Sequence, residues 1–239
     1  MKKIINIFKD RFYRDKFKIG LLKEKDKYDT IDDLIYDHFK DSLEHPCIKT
    51  LKEALKLGNK KPLIIIETGS SAWGANSTVL FDNYVNSWGG YVYSTDIRAK
   101  PMLNLRNKVT NKTILYCQDS IKFLKKIDLA NFDNYRKLIY LDSMDVDWEK
   151  PVESMIHGLR EYLAILPKLK KNDIILIDDT PKDLYILKKA QGVKNSEYFA
   201  KNIQNGIHGG KGSLIRELIF NSDNFEILIH DYQLLFQLR

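Results

Sequence analysis

Five short strand-like runs, each emptying onto an acidic side chain, constrain this chain more than any other feature. They are "LIIIE" at 63–67, "YVYSTD" at 91–96, "TILYC" at 113–117 with Asp119 just beyond, "KLIYLD" at 137–142 and "DIILIDD" at 173–179. Continuous apolar runs such as the first and last are expected where a parallel sheet is covered on both faces. Helix-like spacing falls between them near 75–88, 101–107, 119–127 and 152–167. That alternation predicts an α/β fold with a doubly wound, mostly parallel sheet. The end of the chain differs. "FEILIHDYQLLFQLR" reads as two strands with a tight reversal at His230–Asp231, a C-terminal antiparallel hairpin.

Residues 1–61 read as an amphipathic N-terminal helical extension, serving as a lid or a substrate-side wall. In "TIDDLIYDHFKDSL" Thr30 is a candidate N-cap, and Ile31, Leu34, Ile35, Phe39 and Leu43 share one face. "HPCIKTLKEALKLG" puts Pro46 in a first turn and Gly58 just past an end. Residues 62–239 then form one domain, and 239 residues suffice for a well-cored α/β unit. No apolar run approaches the ~20 residues that cross a bilayer. Charges interrupt the basic opening before a signal-peptide core develops. Cys47 and Cys117 are distant and lack metal-ligand spacing, which predicts a reduced, cytoplasmic setting. The formal charge is +7, and 31 of the 39 basic residues are lysines. A lysine excess spread along a chain reads as solvated surface; nucleic-acid contact tends to add arginine and exposed aromatics.

In an open parallel sheet, ligands bind at the carboxyl ends of the strands. Glu67, Asp96, Asp119, Asp142 and the Asp178–Asp179 pair all fall there. One such acid is commonly a helix cap or turn former. Five strands in series bring repulsion that ligand hydroxyls, amines or a cation must offset. After Glu67, the small residues Gly69, Ser70, Ser71 and Gly74 let backbone approach a ligand, and Ser70, Ser71 and Ser77 can cap the next helix. No G-K-[ST] follows, so this is no P-loop, and "GSSAWG" lacks the G-x-G-x-x-G spacing. Asp96, 29 residues beyond Glu67, suits a ribose diol.

The turn "ETGSS", the acid in "YSTDI" and "CQDS" after the third run resemble class I S-adenosylmethionine-dependent methyltransferases over residues 62–239. The resemblance implies a Rossmann-like, seven-stranded sheet whose last strand is antiparallel, and S-adenosyl-L-methionine as cofactor. It places Glu67, Thr68, Gly69, Ser70, Ser71 and Ser77 around the methionine part, Asp96 at the ribose hydroxyls, Asp119 and Ser120 near the adenine, and Asp142 beside the cofactor. "TGSSAWGANSTVLFDNYVNSWGG", "YLDSMDVDW", "IDDTP" and "HGGKGS" are similar to sugar O-methyltransferases, including glycan-modifying domains encoded by giant viruses, whose setting is the host cytoplasm. That implies a sugar acceptor: a glycan, or a nucleotide-sugar or deoxysugar such as rhamnose. Catechol-type small molecules remain an alternative acceptor class.

Asp142, Asp178 and Asp179 end adjacent strands, and three hard oxygen donors suit Mg²⁺ or Mn²⁺. Catechol-type and macrolide-sugar O-methyltransferases resemble this arrangement of acids. The plainer reading of "DDTPKD" is a helix start, with Asp179 or Thr180 as cap and Pro181 in the first turn. The candidate general bases are Asp145 and His208, the latter in a flexible glycine-rich loop that can act as a lid, with Lys211 reaching an anionic group on the acceptor. Asp142 joins them as a catalytic candidate. His157 reads as structural, and Trp148 as a core residue or a stacking platform for a sugar ring. Two rival classes stand beside this reading: a nicotinamide-dependent oxidoreductase on the same sheet, and a non-catalytic or nucleic-acid-binding module. The amphipathic N-terminal helices leave a homo-oligomer open.

Overall fold

A computed structural model describes residues 17–70 and 76–239; Ser71, Trp73 and Gly74 lie outside the described residues. The strands are β1 (Phe17–Ile19), β2 (Leu63–Thr68), β3 (Gly90–Asp96), β4 (Thr113–Cys117), β5 (Arg136–Leu141), β6 (Ile174–Ile177), β7 (Phe225–His230) and β8 (Leu234–Leu238). They form one sheet in the order β1-β4-β3-β2-β5-β6-β8-β7. Strands β4, β3, β2, β5 and β6 are parallel, and β8 and β7 follow antiparallel. The helices are α1 (Ile31–Phe39), α2 (Ile48–Lys56), α3 (Ser77–Trp88), α4 (Ala99–Arg106), α5 (Ser120–Lys126), α6 (Val152–Ile165), α7 (Leu184–Gln204) and α8 (Ser213–Phe220). Among the described residues, no helix is long and apolar enough to cross a membrane.

Strand periodicity sorts the apolar runs onto two layers. Ile65, Leu138, Tyr140 and Leu176 pack with Leu34 of α1, Leu51 of α2, Phe81 of α3 and Phe199 of α7. Ile64, Ile66, Ile139 and Ile175 pack with Phe123 of α5, Tyr162 of α6 and Ile215 of α8. Each such side chain, fully buried, contributes roughly 1.5–3 kcal/mol relative to exposure. The order reverses between β2 and β5, which pair in parallel from Leu63↔Arg136 to Thr68↔Leu141. Their following helices α3 and α6 leave toward opposite layers, which opens a crevice at their carboxyl ends.

Three features differ from the sequence expectation. The sheet has eight strands, because Phe17–Ile19 caps the β4 edge antiparallel, Ile19 against Ile114. Residues 17–19 are therefore strand within a stretch read as helical; "FKI" is too short to carry a period of its own. The helix α8 had no expectation, and α7 had only the start read in "DDTPKD". The positive φ of Gly192 (83°) breaks α7, so its apolar spacing does not run through. Finally, the hairpin reverses through 231–233 rather than at His230–Asp231, closed by Asp231 N–H donating to the Gln233 carbonyl at 3.0 Å.

Candidate active site at the strand ends

Two cavities open side by side at the carboxyl rim. The first, about 410 Å³, is bordered by Gly69, Asp96, Asp119, Ser120, Ser143 and His157, with Ile97 and Met144 as its apolar walls. The second, about 670 Å³, lies between the 45–47 turn, the loop after β5 and one face of α7. Among the described residues, Asp142 and Asp145 alone line both.

The first cavity owes its shape to close backbone approach. Gly69 has φ 84°, and a Cβ there would stand 2.2 Å from the Asp142 carbonyl oxygen, so a side chain would force β2 and β5 apart. Its N–H donates to the Thr95 carbonyl at 2.9 Å. Asp96 ends β3 with its carboxylate held by Arg98: the backbone N–H at 2.7 Å, Nε at 3.0 Å and Nη2 at 2.8 Å. Asp119 caps α5 by accepting from Lys122 N–H at 2.8 Å while also bordering the cavity. Capping and cavity lining thus coexist in one residue. Ile97 and Met144 are exposed across the opening, and Met144 takes φ 61°, a left-handed conformation uncommon for an unbranched apolar residue.

His157, read from sequence as structural, belongs to this cavity. Its Nε2 lies 2.8 Å from Ser143 Oγ and 3.2 Å from Ser120 Oγ. Buried Glu161, one turn further along α6, accepts from Ser143 Oγ at 2.6 Å. The hydrogen bond with Glu161 raises the His157 pKa, against the opposing effect of burial. The i, i+4 spacing of His157 and Glu161 is readable in the sequence; its meeting with Ser120 is not.

Glu67 is placed elsewhere. It is fully buried and accepts from Ser77 Oγ and Thr78 Oγ1, each at 2.5 Å, and from Ser94 Oγ. Burial pushes its pKa up to about 7 even though three hydroxyls favour the ionised form. Ser77 is thereby committed to Glu67, and Ser70 Oγ pairs with Ser94 Oγ at 2.5 Å. Thr68 supports the site from behind: its carbonyl accepts from Asp142 N–H at 3.0 Å. None of these four side chains borders the cavity.

At the junction of the cavities, Asp142, Asp178 and Asp179 present carboxylate oxygens within 4.8 Å of one another. Lys211, 3% exposed, reaches between them, with Nζ 2.5 Å from Asp142 Oδ1 and 3.1 Å from Asp179 Oδ2. The expectation that Lys211 would meet an anionic acceptor group is corrected by this burial. The loop carrying it is seated by backbone contacts and does not stand off as a lid. A Cβ on Gly158 of α6 would lie 2.3 Å from the Lys211 carbonyl oxygen, and one on Gly210 2.4 Å from that of Asp179. Lys211 N–H donates to the Asp179 carbonyl at 3.0 Å. His208, in the same loop, borders neither cavity; it sits edge-on to Phe199 with Nδ1 3.1 Å from Arg216 Nη1. Asp179, expected as a helix cap, instead takes φ 44°, and Asp183 caps α7 by accepting from Ile186 N–H. Trp148 is buried against Phe199 and reaches the second cavity only at its wall.

The electrostatics of this junction decide what it can hold. With every group ionised, three carboxylates against one ammonium would leave two negative charges, an excess that the titration of Asp142 resists. Burial first, and then the charge of Asp178, raise the Asp142 pKa well above the usual carboxylate range. Burial works against the Lys211 charge, yet the three aspartates together hold its pKa well above the lysine value. All donors are hard oxygens within reach of one point. The residues therefore fit a hard divalent cation, which would balance the residual charge.

The sheet order, with its switch point between β2 and β5 and its antiparallel end, is consistent with the Rossmann-like fold seen in solved methyltransferases, from whose expected seven strands the eight here differ in detail. Solved structures with that fold match almost the whole chain. MycE methyltransferase from the mycinamycin biosynthetic pathway, in complex with Mg and SAH, aligns with a TM-score of 0.55 and 16% identity over 89% of this chain and 55% of that one. The same enzyme with Mg, SAH and mycinamycin VI gives 0.55 and 15%, over 89% and 54%. The O-methyltransferase from Bacillus cereus in complex with SAH gives 0.50 and 12%, over 90% and 92%. This chain thus spans about half the length of the MycE chain it matches. No protein-family profile and no curated protein sequence matches it.

Proposed function

We propose that this chain is an S-adenosylmethionine-dependent O-methyltransferase acting on a sugar hydroxyl with the help of a divalent cation. One observation carries the reading: Asp142 and Asp145 line both cavities, so a donor in one and an acceptor in the other meet at a pair of acids. The smaller cavity suits the nucleoside, with Asp96 for the ribose diol, Asp119 and Ser120 at the adenine edge, and Ile97 and Met144 against its faces. Gly69 borders the same cavity on the side assigned to the methionine part. The absent dinucleotide fingerprint, and structural neighbours solved with SAH, weigh against a nicotinamide oxidoreductase.

Asp142, Asp178 and Asp179 would hold Mg²⁺ or Mn²⁺, which when bound supplies Lewis-acid polarisation of a hydroxyl oxygen. MycE, similar in fold, is solved with Mg, which supports a cation here without naming its ligands. Lys211 keeps two of these carboxylates convergent. Asp145, exposed on the loop after β5, accepts the hydroxyl proton as the oxygen attacks the sulfonium methyl. The new C–O bond forms as the C–S bond breaks, and its electron pair returns to sulfur to leave a neutral thioether. Alignment of oxygen, methyl and sulfur by the two cavity walls supplies the orientation such a displacement needs.

The larger cavity carries Gln191 and Asn195 beside the aromatic rings of Tyr198 and Trp148, a lining suited to a hydroxylated ring. Asp145, Asp147 and Glu149 on the facing loop outnumber Lys194 on α7, which favours an uncharged glycan over a nucleotide-sugar. Calorimetric titration with S-adenosylhomocysteine tests the cofactor reading, and absence of binding overturns it. Turnover of a methyl-accepting glycan in the presence of a chelator, unchanged on adding Mg²⁺, would sink the cation alone.

A further inference from the structure

The antiparallel hairpin closes the sheet, and its turn also meets the acid cluster. Strand β8 pairs antiparallel with β6, Leu234 opposite Ile177. The residues just before Leu234 must therefore overhang those just after Ile177. Backbone bonds clamp the overhang: Thr180 N–H donates to the Tyr232 carbonyl at 3.0 Å, and Lys182 N–H to that of Asp231 at 2.7 Å. Tyr232 and Gln233, 3% and 0% exposed, are thereby aimed at Asp179 and Asp178.

Each contact is the end of a two-bond relay that starts on a helix. On one side, the Thr50 hydroxyl of α2 meets Gln233 Oε1, and Gln233 Nε2 donates to Asp178 Oδ1 at 2.6 Å. An amide in that slot has to turn its nitrogen toward the carboxylate and its oxygen toward the hydroxyl. On the other side, Gln191 Nε2 of α7 donates to Tyr232 Oη at 2.6 Å, and Tyr232 donates to Asp179 Oδ1. One oxygen of each aspartate is committed to its relay. Asp179 Oδ2 is left on Lys211, and Asp178 Oδ1 also accepts from Cys47 Sγ at 3.6 Å.

We propose that Tyr232 and Gln233 are positioning residues that hold Asp179 and Asp178 in the convergent geometry a divalent cation requires. This rests on the reading of the three aspartates as a cation site. Groups that orient metal-bound carboxylates commonly change metal affinity about 10–100-fold when removed. The two relays converge on adjacent aspartates of one site, so the double variant measures how strongly they are coupled.

The test is Mn²⁺ binding to the full chain, followed by the loss of the free-ion paramagnetic resonance signal, for the unmodified protein, Tyr232→Phe, Gln233→Leu and the double variant. Each single variant is expected to weaken Mn²⁺ about 10-fold or more, with S-adenosylhomocysteine affinity held within about 2-fold. A general structural defect would move both affinities. Tyr232→Phe retains the ring, so it decides the matter where Gln233→Leu fails to fold. Equal Mn²⁺ affinity in Tyr232→Phe and the parent, or parallel loss of both ligands, overturns the proposal while leaving the cation reading intact. No Mn²⁺ binding by the parent overturns both.

Discussion

Glu67 and Asp142 end adjacent parallel strands, and the sequence presents them alike: an apolar run, one acid, then small or polar residues. Their surroundings are opposite. Glu67 is enclosed by three hydroxyls from α3 and β3 and, among the described residues, borders neither cavity. Asp142 faces two other carboxylates and one ammonium, with a cavity on either side. The first acid finishes a structural joint between β2 and the start of α3. The second sits where charge is left over. The difference teaches that what tertiary structure leaves unsatisfied around a strand-end acid separates a structural joint from a candidate site.

The sharpest way to break this contrast is to neutralise each acid. Asp178→Asn is expected to lower methyl transfer by roughly 100-fold or more, with the fold retained by circular dichroism and S-adenosylhomocysteine still bound. A comparable loss of turnover at constant stability in Glu67→Gln would erase the distinction.

Removing the ammonium is the next test. Lys211→Met leaves three partly buried carboxylates without their cationic partner, and breaking such a pair costs about 3–5 kcal/mol. Urea unfolding in chelator should show that loss, and Mn²⁺ should restore part of it. Full stability in chelator would mean the aspartates are not electrostatically dependent on Lys211.

Glu67 provides a pH signature. Burial pushes its folded-state pKa up to about 7 from the ordinary value of 4.5. The folded state therefore holds a proton that the unfolded chain releases. Its contribution is full below about pH 4.5 and falls as pH rises toward 7, by roughly 3 kcal/mol in all. Glu67→Gln should flatten that slope in unfolding free energies measured from pH 5 to 8. An unchanged slope would show that another group sets it.

The smallest effect concerns Arg98, which covers Asp96 from a half-exposed position. Exposed pairs are worth about 1 kcal/mol or less, so Arg98→Ala should tighten S-adenosylhomocysteine by no more than about 5-fold. Weaker binding on titration would instead make Arg98 a direct cofactor contact.

Much of the frame was legible because it is local. The five parallel strands fall within a residue or two of where apolar runs place them, and Thr30 caps α1 as its spacing predicts. The acids at their ends could be counted, and the convergence of Asp142, Asp178 and Asp179 followed from strand adjacency. His208 and Lys211 show the limit. Both lie in one glycine-rich segment, and flexibility made the histidine the more attractive candidate. The structure buries the lysine among the aspartates and turns the histidine toward Phe199 and Arg216.

By itself, then, the sequence determined the strand runs, their two-faced burial and the row of carboxylates, because periodicity and residue type act over a few neighbouring positions. Only the tertiary structure decided which acid is saturated, where the Lys211 ammonium goes and that Tyr232 and Gln233 meet the cluster. Those contacts join residues 53 to 69 positions apart. They depend on close backbone approaches, such as Gly158 against Lys211, and on strand register, which no local pattern encodes.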